Sequence, residues 1–317
     1  MNADLAPGRP SYRPAVALTI AGSDSGGGAG IAADLRTFAA LGVFGTVAVS
    51  AVTAQDTRAV HAVTPVSAAM LVAQIEAVAT DLHPAALKTG MLATAENVDA
   101  VARLVREGVV PPPVVDPVLV SSTGQALLES DAVELYATAL VPVAKLVTPN
   151  VAEASLLARM PITSVADMQD AARAIRSLGA AAVLVTGGHL SGEISTDVLV
   201  HDGGADLLTS PRVATANLHG SGCTLSAAIV ALLATGRSLG DAVAGAKEFV
   251  FAAIAAAASW DLGSGQGPLD HFRWATHLHA AGPDAAGALP AAKPTAARES
   301  AATSVGTRQM GARRIGP

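Results

Sequence analysis

The sequence predicts an α/β protein: a mostly parallel central sheet with helices packed on both faces. Three observations carry this. Several short runs are continuously apolar, as strands buried on both faces require. Longer segments between them place apolar residues at helical spacing. Glycines and capping side chains stand at the junctions.

The strands are read at Ala15–Ala21, Val43–Val52, Ala86–Lys88, Val114–Val115, Lys145–Val147 and Ala182–Val185. Leu71, Ile75, Val78 and Leu82 share one helical face, as do Val98, Val101, Ala102 and Val105, and then Ala171, Ile175 and Leu178. Gly42, Gly108 and Gly179 fall where a left-handed residue ends a helix. Thr94 and Ser164 fall where a side-chain oxygen caps one. Asp197–Val213 reads as a hairpin turning at Gly203-Gly204, and helices follow near 222–234 and 239–259. One domain is expected over 14–280. A loose leader is expected over 1–13, and a tail without fixed fold over 281–317, ending in the basic Arg308, Arg313 and Arg314.

Composition narrows the function. The 317 residues carry a formal charge of −6, which excludes a broadly basic nucleic-acid binder. Aromatics at 3% leave no base-stacking platform. One cysteine excludes a disulfide within the chain. The longest apolar run is Phe249–Ala258, whereas a membrane span needs about 18 residues. The expectation is a soluble, cytoplasmic protein with 51% hydrophobic residues, enough for a sizeable core.

Four segments could carry chemistry. Gly22-Ser23-Asp24-Ser25-Gly26-Gly27-Gly28-Ala29-Gly30 links a strand to a helix and lets backbone approach a ligand. Gly28, Gly30 and Ala33 also fit a dinucleotide fingerprint, but no acidic residue ends a second strand about 20 positions on. Gly220-Ser221-Gly222-Cys223 opens an apolar helix. Its unpaired N–H groups and the helix dipole suit a phosphate or a transferring phosphoryl group. Cys223 lies in the first turn, where a thiol pKa is expected to fall from about 8.5. Thr148-Pro149-Asn150-Val151-Ala152-Glu153 follows a strand. Asn150 and Glu153 can converge on hydrated Mg²⁺, with Asp116 as a further oxygen ligand, or they can form a helix capping box. Thr186-Gly187-Gly188-His189 ends another strand and can hold nucleotide phosphates, or be only a turn. No Walker P-loop, G-x-S-x-G elbow or H-E-x-x-H occurs.

In order, these segments resemble the hydroxymethylpyrimidine/phosphomethylpyrimidine kinase family of thiamine biosynthesis, within the ribokinase-like superfamily. The resemblance runs from about Ala17 to Phe272. It includes Thr53-Ala54-Gln55-Asp56-Thr57-Arg58, Lys88-Thr89-Gly90-Met91-Leu92, Asp116-Pro117-Val118 and Gly267-Pro268-Leu269-Asp270-His271-Phe272. It implies a three-layer ribokinase-like sandwich and ATP-dependent phosphorylation of an aminopyrimidine alcohol, then of its monophosphate. It places pyrimidine contacts at Gly22, Asp34, Gln55, Met91 and Val118. It makes Cys223 the catalytic residue, with the N–H groups of Gly220, Ser221, Gly222 and Cys223 around the transferring phosphoryl. It sets ATP against Asn150, Thr186, Gly188 and Lys247, and Mg²⁺ against Asp116 and Glu153. Lys247 could equally be a solvated helix lysine. The chain departs from some relatives at Thr186 and Ser122, where lysine can occur, and at Ser25-Gly26 and Leu218. A homodimer is the expected assembly. Three other readings remain at this point: a pyridoxal kinase, a nicotinamide-dependent oxidoreductase using the glycine loop, and a non-catalytic pyrimidine-binding regulator.

Overall fold

The structure, a computed structural model, describes residues 12–119, 130–188 and 190–272. Most of the leader, Ser122, His189 and the tail over 281–317 lie outside the described residues.

Strand β1 (Val16–Ala21) is buried at every position and sits inside an eight-stranded sheet. Its neighbours are β2 (Phe44–Val49) and β5 (Ala86–Thr89), both parallel to it. Next come β6 (Val114–Val115), β7 (Leu146–Val147) and β8 (Val183–Val185), again parallel. Strand β9 (Ile194–His201) runs antiparallel to β8, and β10 (Gly204–Pro211) closes the edge as its hairpin partner. Helices α2 (Ala68–Leu82), α3 (Ala95–Arg106), α5 (Val151–Ala158) and α6 (Val165–Ser177) cover one face. There Leu71, Ile75, Val98, Val101 and Ile175 share one core with Leu18 and Ile20. Helices α1 (Gly30–Ala40), α7 (Ser221–Ala234) and α8 (Leu239–Ala257) cover the other, where Phe38, Ile229 and Phe249 share a core with Ala17. The three-layer α/β arrangement is thus the one expected. Gly42, Gly108 and Gly179 all have positive φ one residue past a helix C-cap, and Thr94 and Ser164 accept N–H groups as N-caps.

Three local readings change. The run Val43–Val52 is two strands, because the chain turns at Ser50 and leaves the sheet. Strand β3 (Ala51–Gln55) then pairs with β4 (Val60–Pro65) in a separate antiparallel ribbon. Apolar content predicts burial, and β4 fails that rule, for it is exposed or nearly so along its length. The hairpin starts earlier than expected, at Ile194, and its turn is Asp202-Gly203. Helix α4 (Ser130–Leu135), followed by a π turn over Tyr136–Leu140 and a 3₁₀ turn over Val141–Val143, was not marked by clear periodicity.

The base of the ribbon is fixed by one buried amide. Asn97 Nδ2 faces the carbonyls of Ser50 (3.4 Å), Val66 (3.2 Å) and Leu92 (2.9 Å), while Val66 N–H donates to Ser50 O at 2.8 Å. Both ribbon stems therefore meet the loop after β5 at a single side chain. Asn97→Ala leaves these buried carbonyls without that donor and should destabilise the fold by about 2–3 kcal/mol. Chemical denaturation checks this, and an unchanged midpoint would refute the anchoring role.

Candidate active site

The carboxyl ends of β1, β5 and β6 face the start of α7, the usual place for a ligand in an open α/β sheet. The glycine loop and the Gly220 turn meet there with no room for side chains. A Cβ on Gly220, whose φ is +83°, would lie 1.9 Å from the carbonyl oxygen of Gly28. A Cβ on Gly30 would lie 2.4 Å from the carbonyl oxygen of Gly22, and one on Gly22 would lie 2.4 Å from Met91 Cε. The glycines are therefore set by contact as well as by conformation.

Asp24 organises the loop. Its Oδ1 accepts the Gly26 N–H, and its Oδ2 accepts the Gly28 and Ala29 N–H groups. His219 Nε2 lies 2.9 Å from the same Oδ2, joining the loop to the residue before Gly220. Burial pushes the Asp24 carboxyl up, but the His219 and backbone hydrogen bonds outweigh it and hold it below its ordinary value. Gln55, at the end of β3, places Nε2 3.4 Å from His219 Nε2. Val118 follows Asp116 at the end of β6, its N–H bonded to the Asp116 carbonyl.

Beneath the loop lies a buried charge cluster. Lys88 Nζ is 2.9 Å from Asp34 Oδ1 and 3.7 Å from Asp116 Oδ2, with no side-chain exposure. Thr19 Oγ1 donates to Asp34 Oδ2 at 2.6 Å, and Ser226 Oγ donates to Asp116 Oδ2 at 3.1 Å. Burial opposes the Lys88 ammonium, but Asp34, Cys223 and Asp116 outweigh it and raise its pKa. Both Asp34 oxygens are engaged, by Thr19 and Lys88, and the residue is fully buried. It supports the pocket floor through Lys88.

Gly222 and Cys223 occupy the first turn of α7, where N–H groups have no intrahelical acceptor. The expected fall in the Cys223 pKa is not found. Burial pushes the thiol up to about 12, and the pull of Lys88 offsets only part of that while Asp116 and Asp34 oppose it.

Further along the sheet, Asn150 caps α5. Its Oδ1 accepts the Glu153 N–H and Glu153 Oε2 accepts the Asn150 N–H, each at 3.0 Å. This is the capping box that the spacing allowed. Burial, then the charge of Asp116, push the Glu153 carboxyl up to about 8. Among the described residues no group of three His, Cys, Asp or Glu side chains could cage a metal ion. Asp116 and Glu153 would hold a cation only with the Glu153 carboxyl ionised, and then one that keeps most of its waters and takes its other ligands from phosphates, as Mg²⁺ does. Thr186 bridges to Asn150, and its N–H donates to the Pro149 carbonyl at 2.9 Å. Gly188 is exposed beside it. Lys247 is not a solvated lysine: Asp197 Oδ2 holds its Nζ at 2.7 Å, and Asp197 Oδ1 accepts the Gly187 N–H at 3.0 Å. Lys88, Asp24 and Asp197 are residues around the glycine turns to which the sequence reading gave no role, and His219, readable as catalytic or as a structural hydrogen-bonder, bonds Asp24. Lys88 carried a signal, a charge inside a continuously apolar strand.

The sequence profile of the family described as phosphomethylpyrimidine kinase matches residues 24–270. A hydroxymethylpyrimidine/phosphomethylpyrimidine kinase of Rhizobium meliloti is 50% identical over 263 residues, 82% of this chain and 98% of that protein. A bifunctional thiamine biosynthesis protein of Geobacter sulfurreducens is 43% identical over 255 residues, 80% of this chain and 52% of that protein. Among solved structures, an ADP complex of Bacillus subtilis pyridoxal kinase superposes with a TM-score of 0.75 at 38% identity, covering 82% of this chain and 98% of that one.

Glu153 yields a test in stability. Its carboxyl stays protonated in the folded protein up to about 8 but ionises near 4.5 when unfolded. Wild-type stability must therefore fall as pH rises through that window. Glu153→Gln retains an acceptor for the cap and does not titrate. Its stability relative to wild type should rise by about 1–3 kcal/mol between pH 4.5 and pH 8. Denaturant midpoints across pH check this, and parallel curves would refute it.

Proposed function

The chain belongs to the phosphomethylpyrimidine kinase family, and we propose how its site carries out that family's reaction. It is an ATP-dependent kinase that converts 4-amino-5-hydroxymethyl-2-methylpyrimidine to the monophosphate and then the diphosphate in thiamine biosynthesis. The observation that carries the site reading is the side-chain-free contact between the glycine loop and the Gly220 turn. It puts Gly22 and Met91 on one side and the first turn of α7 on the other.

The pyrimidine lies against Gly22, Met91 and Val118, a small and largely apolar surface suited to a flat ring. Gln55 offers a donor and an acceptor in one plane to the ring edge. The N–H groups of Gly220, Gly222 and Cys223 receive the charge that develops on the transferring phosphoryl group, that of Ser221 being bonded to the Leu218 carbonyl at 3.2 Å. Asn150, Thr186, Gly188 and the Lys247–Asp197 pair border the ATP phosphates. Asp116 and Glu153 would hold Mg²⁺, which neutralises phosphate charge during transfer. Cys223 accepts the hydroxymethyl proton as a thiolate. Burial disfavours that form and the Lys88 ammonium favours it, so turnover depends on the balance between them. Pyridoxal kinase activity is the second reading. It is favoured by the superposition on a pyridoxal kinase, and parallel turnover of the two alcohols separates them. We also propose one domain over 14–280, a homodimer and a cytoplasmic setting. Among the described residues no helix is long and apolar enough to cross a membrane.

Two substitutions test the assignment. Cys223→Ala should keep ATP binding and lose roughly 10²–10⁴-fold in turnover. The wild-type rate should climb with pH through the neutral and alkaline range as the thiolate fraction grows, and the variant should not show this climb. A near-normal rate in the variant would leave Cys223 a packing residue. Gln55→Leu should weaken pyrimidine binding by roughly 5- to 150-fold, because ring polar atoms lose their partners. ATP affinity should stay unchanged by calorimetry. The opposite pattern would assign Gln55 to the nucleotide.

A further inference from the structure

We infer that Thr57 and the segment Gly263–Gly267 form a strap that positions the β3–β4 ribbon over the site and couples it to the turn at Gly220. The functional part of this rests on the reading that the ribbon brings Gln55 to the pyrimidine.

The ribbon is held at both ends, but differently. Its base is fixed by the buried Asn97 amide described above. Its tip is fixed by partly exposed contacts. Thr57 Oγ1 accepts the Gly265 N–H at 3.1 Å, and the Thr57 carbonyl accepts the Gln266 N–H at 2.9 Å. These bonds compete with water, so the tip is the end that opens and the base is the hinge.

The fit at the tip is specific to glycine. A Cβ on Gly265 would lie 2.0 Å from the Thr57 carbonyl oxygen. One on Gly263, whose φ is +77°, would lie 2.5 Å from Thr57 Oγ1. The strap then runs straight into the catalytic turn. A Cβ on Gly267 would lie 2.0 Å from Asn217 Oδ1, and the Gly267 carbonyl accepts the His219 N–H at 3.1 Å. Asn217 Nδ2 donates to the carbonyls of Ala257 (2.7 Å) and Trp260 (3.0 Å), which roots the strap on the end of α8. His219 then meets Asp24 and Gln55 with its ring. The path from Gln55 through Thr57, Gly265, Gly267 and His219 returns to Gln55, so it closes on itself. A ribbon displaced from the site pulls on the residue that precedes Gly220. Thr57 is thus a positioning residue, acting through the ribbon and the strap.

The test compares Gly265→Ala, Thr57→Val and Thr57→Ser in the full chain, by steady-state kinetics and by hydrogen exchange resolved along the sequence. Thr57→Val removes one neutral hydrogen bond and should raise the pyrimidine KM by about threefold to tenfold. Gly265→Ala forces the strap away and should raise it by about tenfold or more, with the ATP KM changing less than about twofold. Thr57→Ser should restore wild-type values. Exchange should quicken in 51–65 and in 217–223 together. Exchange that quickens only in 263–267, with an unchanged pyrimidine KM, would overturn the proposal. Should Gly265→Ala fail to fold, Thr57→Val decides by the same two readouts. Coupled exchange with unchanged pyrimidine KM, in both the strap variants and Gln55→Leu, would support the coupling and reject the pyrimidine reading of Gln55.

Discussion

A fully buried ammonium organises this molecule. Lys88 reaches the end of the central strand β5 and is neutralised from two directions, by Asp34 on α1 and by Asp116 after β6. Taking a charge out of water costs several kcal/mol unless partners compensate. The side chain therefore dictates where both carboxylates stand. Through Thr19 and Ser226 the constraint extends to β1 and α7. The floor of the pocket is a polar network whose members hold each other in place, so the residues above it inherit fixed positions.

On that floor the walls are made of backbone. Gly22, Gly28, Gly30 and Gly220 leave space that any side chain would fill. The glycine loop and the Gly220 turn approach closely enough for backbone to meet backbone, and the loop's own N–H groups at Gly26, Gly28 and Ala29 are held by Asp24. In the proposed reading such a site would take phosphate through oriented dipoles at a helix start, with no lysine at Thr186. Lys247 is an indirect cation there, since Asp197 shares it with the Gly187 backbone.

Much of the fold was legible because its strands are buried on both faces and its helices are capped in the ordinary way. Gly42, Gly108, Gly179, Thr94 and Ser164 all sit where local chemistry demands. The β3–β4 ribbon was not legible. Its second strand gains no burial, and the turn at Ser50 is imposed by contacts from Ala21, Met91 and Asn97, residues distant in sequence. The position of the Gly220 turn at a helix start was legible because a helix start is a local feature. The state of Cys223 was not. Its helix position argues for an acidic thiol, yet the packing of three loops and two carboxylates around it decides otherwise. The Asn150–Glu153 spacing was readable as either a cap or a cation site, and the structure makes the cap while the carboxylate still faces Asp116.

The high pKa of the lone thiol also bears on chemical durability. Peroxides and electrophiles attack the thiolate, and the burial that pushes the Cys223 thiol up keeps that form scarce at neutral pH. A cysteine at the mouth of an active site is ordinarily its most perishable atom. Here the desolvation that makes Cys223 a reluctant base also shields it from sulfenic acid formation, so the site exchanges readiness for resistance to oxidants.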